Sequence, residues 1–375
     1  MMLEYELGEL LIYEQPTAYI VESTKYDDKY KTPVLTAGKT FILGYTDETT
    51  GIYENLPVII FDDFTTASQY VNFKFKVKSS AMKILKPNTE LVNPKYIYYR
   101  MQIIQFDSST HKRYWIQQYS KIKVAVPPLE EQARIVARIE ELFSKLESGV
   151  ETLKQTKVQL AVYRQAVYSK AYEPFECFTR ITDYFDISSG LTKNSSRNQM
   201  SIKMPYLRVA NVYYNKLDLS EIKTIGVLEK EIEKTTLQKN DLLFVEGNGS
   251  KEQIGRVAIW DGSIPNCLHQ NHIIKGRPLN NISPEFALYY LISGFGRKQI
   301  LEVASSTSGL YTLSANKVRN LQIPTCDLEQ QHEVVSWIEE KLSVCDQSEQ
   351  TVDAALQQAE ALRQSILKKA FEGGL

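Results

Sequence analysis

The chain has 375 residues, 43% hydrophobic and 24% charged, with a net charge of −1. That length suits two domains plus connecting elements, and no apolar run reaches the length of a membrane span. A polycation that grips nucleic acid by charge alone would be far more basic, so any contact with DNA has to come from a local patch and polar readers. The start, MMLEYELGELLIYEQ, is too acidic for a signal peptide, and Cys177, Cys267, Cys326 and Cys345 show neither metal-ligand nor disulfide spacing. A reduced, cytoplasmic protein is expected.

In chain order, residues 1–125 predict a mixed domain. LGELL (Leu7–Leu11) opens as a short helix, and strand-like runs follow at Ala18–Val21, Phe41–Tyr45, Pro57–Phe61 and Phe73–Lys78, the last in strict alternation. Asn93-Pro94 caps a helix through KYIYYRMQI, because Asn accepts backbone N–H bonds and Pro suits the first helical position. The alternating run Lys121–Pro128 then leads into a long helix, within residues 126–172. Residues 173–322 repeat the plan: a capped opening helix in Phe178–Gly190, strands at Pro205–Val212, Asp241–Glu246 and Ile254–Trp260, and a helix after Ser283-Pro284. Asn320–Pro324 leads into the last segment, 323–375.

The two helical segments are an ungapped repeat, LEEQARIVARIEELFSKLESGVETLKQTKVQLAVYRQAVYSKAY from Leu129 and LEQQHEVVSWIEEKLSVCDQSEQTVDAALQQAEALRQSILKKAF from Leu328. A period near half the chain means two similar modules. Apolar residues at three-to-four spacing (Ile139, Leu142, Phe143, Leu146, Val150, Leu153; Ile338, Leu342, Val352, Leu356, Leu362, Ile366) give each helix one stripe, as a coiled coil requires. The fold expected is α+β: two mixed domains, each followed by a long helix, the two helices packed as a coiled coil. Charge follows the same division. Residues 1–125 carry 15 Lys+Arg against 14 Asp+Glu and residues 173–322 carry 18 against 15, whereas 323–375 carry 4 against 10.

Motifs that could carry catalysis read more plainly as scaffold. Asn93-Pro94-Lys95-Tyr96 resembles an amino-methyltransferase box, but its counterpart Ser283-Pro284-Glu285-Phe286 keeps only the cap and the aromatic. Gly247–Lys251 lacks phosphate-loop spacing, and Asp62-Asp63 lacks a third acid or a neighbouring lysine in nuclease-like order. His269 and His272 have no cysteine or carboxylate close in sequence to complete a zinc site. Polar clusters flanking strands remain: Thr65, Thr66, Lys78, Ser79, Ser80 and Lys83 in the first domain, and Lys193, Arg197, Arg208, Asn211, Tyr213, Tyr214, Asn248, Lys251, Arg256 and the run His269, Gln270, Asn271 and His272 in the second. Arg, Lys, Asn and Gln can bond base edges, and Ser, Thr and Tyr phosphates, so these are the DNA-binding candidates.

The repeated strand–Pro–LEEQ/LEQQ approach to each helix, the helix ends RQAVYSKAY and RQSILKKAF, and PYLRVANV, DLLFVEGNGS, IGRVAIW and HQNHI resemble the specificity subunit of type I restriction–modification systems. PVLTAGKTFILGYT and IIFDDFTT are similar to another subgroup of its target-recognition domains. The resemblance implies a chain without catalysis, each domain reading one half of a split double-stranded DNA site and the helices packed as an antiparallel coiled coil that acts as spacer. Two methyltransferase (modification) subunits would bring S-adenosylmethionine, and restriction subunits would bring ATP and Mg. A helix of about 44 residues spans roughly 65 Å, about two turns of duplex. Shortening it by one heptad, such as Val150–Thr156, should shorten the unread gap. The competing expectation is a stand-alone DNA-binding or adaptor protein that dimerises through its coiled coil.

Overall fold

The computed structural model describes residues 2–38, 40–108, 112–248, 253–279, 281–307 and 310–374, with the backbone alone at Asn248, Ser305–Thr307 and Leu310. The chain divides into two compact units, Met1–Lys154 with Asp353–Leu375, and Gln155–Val352. Both long helices are therefore shared between units, which a reading by consecutive segments does not contain.

The first unit holds β1 (Leu3–Glu6), α1 (Leu7–Leu10), β2 (Leu11–Glu14), β3 (Thr32–Leu35), β4 (Ile42–Thr46), β5 (Val58–Asp62), β6 (Ser68–Val71), β7 (Lys76–Val77), β8 (Met82–Pro87), α2 (Pro94–Met101) and β9 (Lys123–Val126), followed by the start of α3 (Leu129–Tyr172). One antiparallel sheet runs β2-β8-β5-β6; a second runs β4-β3-β7, with β3 and β7 parallel. The run VIIF is apolar throughout because β5 is covered on both faces. Ile59 and Phe61 pack with Leu7, Leu10, Tyr96 and Ile97 on the helical side, while Val58 and Ile60 pack with Leu35, Tyr53 and Phe75 on the other.

The second unit follows the same plan: β10 (Phe178–Arg180), β11 (Phe185–Ser189), β12 (Lys203–Leu207), β13 (Val212–Tyr213), β14 (Lys216–Leu217), β15 (Lys223–Gly226), α4 (Glu229–Thr235), β16 (Leu242–Val245), β17 (Gly247–Asn248), β18 (Val257–Ile259), β19 (Leu268–His269) and β20 (Ile273–Pro278). It continues with α5 (Pro284–Ile292), α6 (Gly294–Val303), β21 (Ser305–Thr307), β22 (Leu310–Thr312), α7 (Ala315–Arg319), β23 (Gln322–Pro324) and the start of α8 (Leu328–Phe371). Sheet β11-β20-β16-β18 corresponds to β2-β8-β5-β6, and β15-β12-β19 to β4-β3-β7, with the parallel pair in the same place. The small sheet β17-β22-β21 and the β13–β14 hairpin are additions to this unit among the described residues.

Local chemistry revises four expectations. Ala18–Val21 is no strand: Pro16 starts a 3-10 turn through Tyr19, and Ile20 makes a lone bridge to Val77. Of Phe73–Lys78 only Lys76–Val77 pairs as strand, and Lys76 points inward, its Nζ 2.6 Å from Glu48 and 2.8 Å from the Thr50 carbonyl. Phe178–Gly190 forms strands β10 and β11 around a short 3-10 turn, not a helix. In Pro205–Val212, β12 stops at Leu207; the Asn211 side chain accepts from the Arg208 N–H at 2.8 Å and turns the chain.

The caps at Asn93 and Ser283 are real: their side chains accept from Lys95 and Tyr96 N–H, and from Phe286 N–H. Beside each cap lies a buried glutamine from the repeated helix start. Gln132 Oε1 accepts from Asn93 N–H at 2.6 Å, and its Nε2 donates to the carbonyls of Leu91 and Pro127. Gln331 Oε1 accepts from Ser283 N–H at 2.7 Å, and its Nε2 donates to Asn281 and Cys326. This is why the fourth residue of LEEQ and LEQQ is the same.

Within each unit the two helices run antiparallel, and the unit is completed by the end of the other repeat. In the first, Ile139 and Phe143 pack on Ile366, Leu367 and Ala370, Phe371 meets Tyr96 edge-on, and Arg363 stacks on Phe143 with Nη1 3.4 Å from Glu147. In the second, Tyr172 meets Phe286 edge-on, and Arg164 pairs with Asp346 and Glu349 at 2.5 and 2.9 Å. Tyr172 donates its hydroxyl proton to the Phe286 carbonyl at 2.6 Å, and burial holds that phenol well above its ordinary pKa. The helix pair thus closes within one chain, so a homodimer is not needed to cover the apolar stripes.

Candidate nucleic-acid interface

In each unit the central strand leads into a hairpin loop, and a crossover turn leads into the strand beside it. In the first unit these are 63–67 (β5 to β6) and 78–81 (β7 to β8); in the second, the connection from β16 to β18, whose described residues are 246–248 and 253–256 and include β17, and 270–272 (β19 to β20). One backbone bond joins loop to turn each time. Asp63 N–H donates to the Ala81 carbonyl at 3.2 Å, and Glu246 N–H to that of His272 at 2.9 Å. A third segment docks on the same residue: Tyr114 N–H donates to the Asp63 carbonyl, and Leu313 N–H to that of Glu246.

Of the polar residues picked from the sequence, Thr65, Thr66, Lys78, Ser79, Ser80, Gln270 and Asn271 fall on these edges. Thr65 is exposed and Thr66 half-buried at φ +60°, in a loop that Asp62 folds by accepting from the N–H groups of Phe64 and Thr65. Lys78 and Ser80 are exposed and Ser79 half-buried on the crossover turn. In the second unit Gln270 and Asn271 are half-buried on the equivalent turn. Lys193 is exposed beside Lys203 and Asn198 in a shallow depression, and Tyr213 lies exposed under the Arg256 guanidinium. The side chain of Asn248, and Lys251 altogether, lie outside the described residues.

Several candidates belong to the scaffold instead. Lys83 is only 2% exposed, its Nζ 3.4 Å from Asp63 and 3.1 Å from the Tyr13 hydroxyl. Folding brings this lysine to Asp63, which sequence order does not suggest, but the pair is sealed: Asp63 Oδ1 accepts from Trp115 N–H at 2.8 Å. Arg197 is buried, bonded bidentately to Glu231 and donating to the Thr192 and Gly226 carbonyls. Its bonds pull the Glu231 carboxyl down to about 2. Asn211 donates to the Asp218 and Glu221 carbonyls, and buried Arg256 to that of Val209. Arg208 is tied to Glu221, 3.3 Å away. Tyr214 turns toward the helix-side core, under Arg297. His269 is fully buried, its Nδ1 donating to the Ile273 carbonyl at 2.9 Å; desolvation lowers its pKa to about 4, so the ring is neutral. Gly190 is required there, because a Cβ would lie 2.1 Å from the His269 carbonyl.

His272, in the His269–His272 run that the sequence offered, is 53% exposed on the crossover turn, whereas sequence reasoning passed over Lys112 and Arg113, exposed on the segment that docks on Asp63. Only the paired topology singles them out. Among the described residues no cluster of three His, Cys, Asp or Glu is arranged to hold a metal ion, and no helix is long and apolar enough to cross a membrane.

Known proteins share this architecture. The chain is 33% identical over 353 residues to the specificity subunit of the Escherichia coli type I restriction enzyme EcoR124I/EcoR124II, covering 89% of this chain and 85% of that one. The EcoKI specificity subunit of E. coli K12 is 27% identical over 271 residues, 68% of this chain and 58% of that one. A chain from a solved type I restriction–modification system shares the fold, with TM-score 0.69 at 16% identity over 100% of this chain and 98% of that one. Residues 2–155 and 172–358 match the model of the type I restriction modification DNA specificity domain, so the chain belongs to the specificity subunits of type I restriction–modification systems, with two copies of that domain.

Proposed function

We propose that each unit reads one half of a bipartite duplex site with the edge where hairpin loop and crossover turn meet. The observation that carries this is the repetition: in both units the same backbone bond joins the connection after the central strand to the crossover turn, and that turn exposes Lys78 and Ser80 in the first unit and His272 in the second. In the first unit Lys78, Lys112 and Arg113 supply cations for phosphates, and Thr65 and Ser80 supply short polar groups. The helices, 44 residues each, act as the spacer, roughly 65 Å long and comparable with two turns of duplex.

The chain itself performs no chemistry in this reading. Two methyltransferase subunits dock on it and supply S-adenosylmethionine and the reacting groups, and restriction subunits supply ATP- and Mg-dependent cleavage, all in the cytoplasm. The internal repeat gives the two methyltransferases related seats. The seats are not identical, since Arg134 and Arg138 on α3 stand where Glu333 and Trp337 stand on α8. Homology to specificity subunits favours this over a stand-alone adaptor. Co-expression with a modification subunit, followed by methylome sequencing, tests it: a bipartite methyl-adenine motif should appear and vanish when this chain is omitted. An unchanged methylome would contradict it.

A further inference from the structure

Asp63 and Glu246 occupy the same place in the two units, the first residue after the central strand. Each is a three-way backbone junction, and each carries a carboxylate, but the carboxylates are used differently. Asp63 turns inward to Lys83 and Trp115 N–H. Glu246 is 28% exposed, and its Oε2 accepts from Nδ1 of His272 at 2.8 Å. Ala81 stands where His272 stands, so the first unit has no ring to hold at this point.

The geometry fixes what His272 can offer. Where Nδ1–H donates to the Glu246 carboxylate and the ring is the neutral tautomer, Nε2 is left as an acceptor. Backbone bonds hold both partners: Glu246 N–H donates to the His272 carbonyl, and Glu246 in turn accepts from Leu313. A ring already fixed loses little rotamer freedom when it meets a ligand.

We propose that His272, oriented by Glu246, is a specificity-determining contact of the second unit: Nε2 accepts a hydrogen bond from an exocyclic amino group, adenine N6 or cytosine N4, at one position of that unit's half-site. Glu246 is the positioning residue. The inference rests on the reading of this edge as a DNA interface, and extends it to a residue and a base class.

The test is the methylome of the assembled complex carrying the wild-type chain, His272→Ala, His272→Gln or Glu246→Gln. A wild-type complex without a bipartite motif would remove the underlying reading, whatever His272 does. Given that motif, His272→Ala should relax one A- or C-specifying position of one half-site by roughly tenfold or more, with the other half unchanged. Glu246→Gln should relax the same position less, because the amide oxygen can still accept from Nδ1. His272→Gln keeps an acceptor and should retain part of the preference, which separates base reading from a fold defect. Unaltered base preference in all three variants, or a loss spread evenly over both half-sites, would overturn the inference.

Discussion

At the junction after its central strand the first unit buries Asp63 against Lys83, whereas the second turns Glu246 outward to His272. At the helix ends the units agree: Gln132 and Gln331 make the same three bonds, and Phe371 on Tyr96 mirrors Tyr172 on Phe286. Agreement marks what both units must do alike, which is to hold the helix pair. Under the proposed reading, difference marks where each unit would meet its own half-site. A position shared in topology but not in side-chain environment is therefore where specificity should be sought.

Substitution at the paired junction gives the sharpest contrast. Asp63→Asn leaves a buried ammonium without its counter-charge and should cost about 4 kcal/mol in urea denaturation. Glu246→Gln removes only the charge of a part-exposed pair and should cost less than about 1 kcal/mol. Equal losses would erase the distinction between scaffold and reader. The glutamine latch should behave in the opposite way. Gln132→Leu and Gln331→Leu each strand a buried N–H and two carbonyls, and each should cost about 3 kcal/mol, alike in the two units.

Acid should act on the second unit through His269. Its folded pKa, about 4, lies below the free value of 6.5, so the unfolded chain takes up the proton first. That contribution is complete above pH 6.5 and is lost as pH falls toward 4, amounting to about 2 kcal/mol by pH 5. Denaturation of His269→Gln as a function of pH should show a flatter slope over that interval. An unchanged slope would mean that the imidazole is not what acid attacks.

The repeat made the two helices legible, because an ungapped 44-residue periodic match leaves few alternatives, whereas their antiparallel pairing came with the family resemblance. The caps at Asn93 and Ser283 and the central strands VIIF and LLFV were equally open, being local signals. The interface was legible only as loops. Arg197 and His269 read as surface readers because their partners, Glu231 and the wall at Gly190, lie far along the chain. What sets His272 apart within its run was not legible, because it depends on Glu246, 26 residues away and beside it only once the sheet has formed. The strand expected at Ala18–Val21 failed for a local reason, since Pro16 begins a 3-10 turn instead.

The central claim is that two independent readers are set apart by a helical rod, and shortening the rod tests it most directly. Leu146, Val150 and Leu153 on α3 line one groove with Ala355, Ala359 and Leu362 on α8, so Val150–Thr156 must be removed together with Asp353–Ala359. Seven residues rise roughly 10 Å, about three base pairs of duplex. Methylome sequencing of the complex should then show the unread gap contracted by about three base pairs, with both half-site sequences intact. A motif in which either half-site is changed or lost, or in which the gap stays the same, would contradict the account.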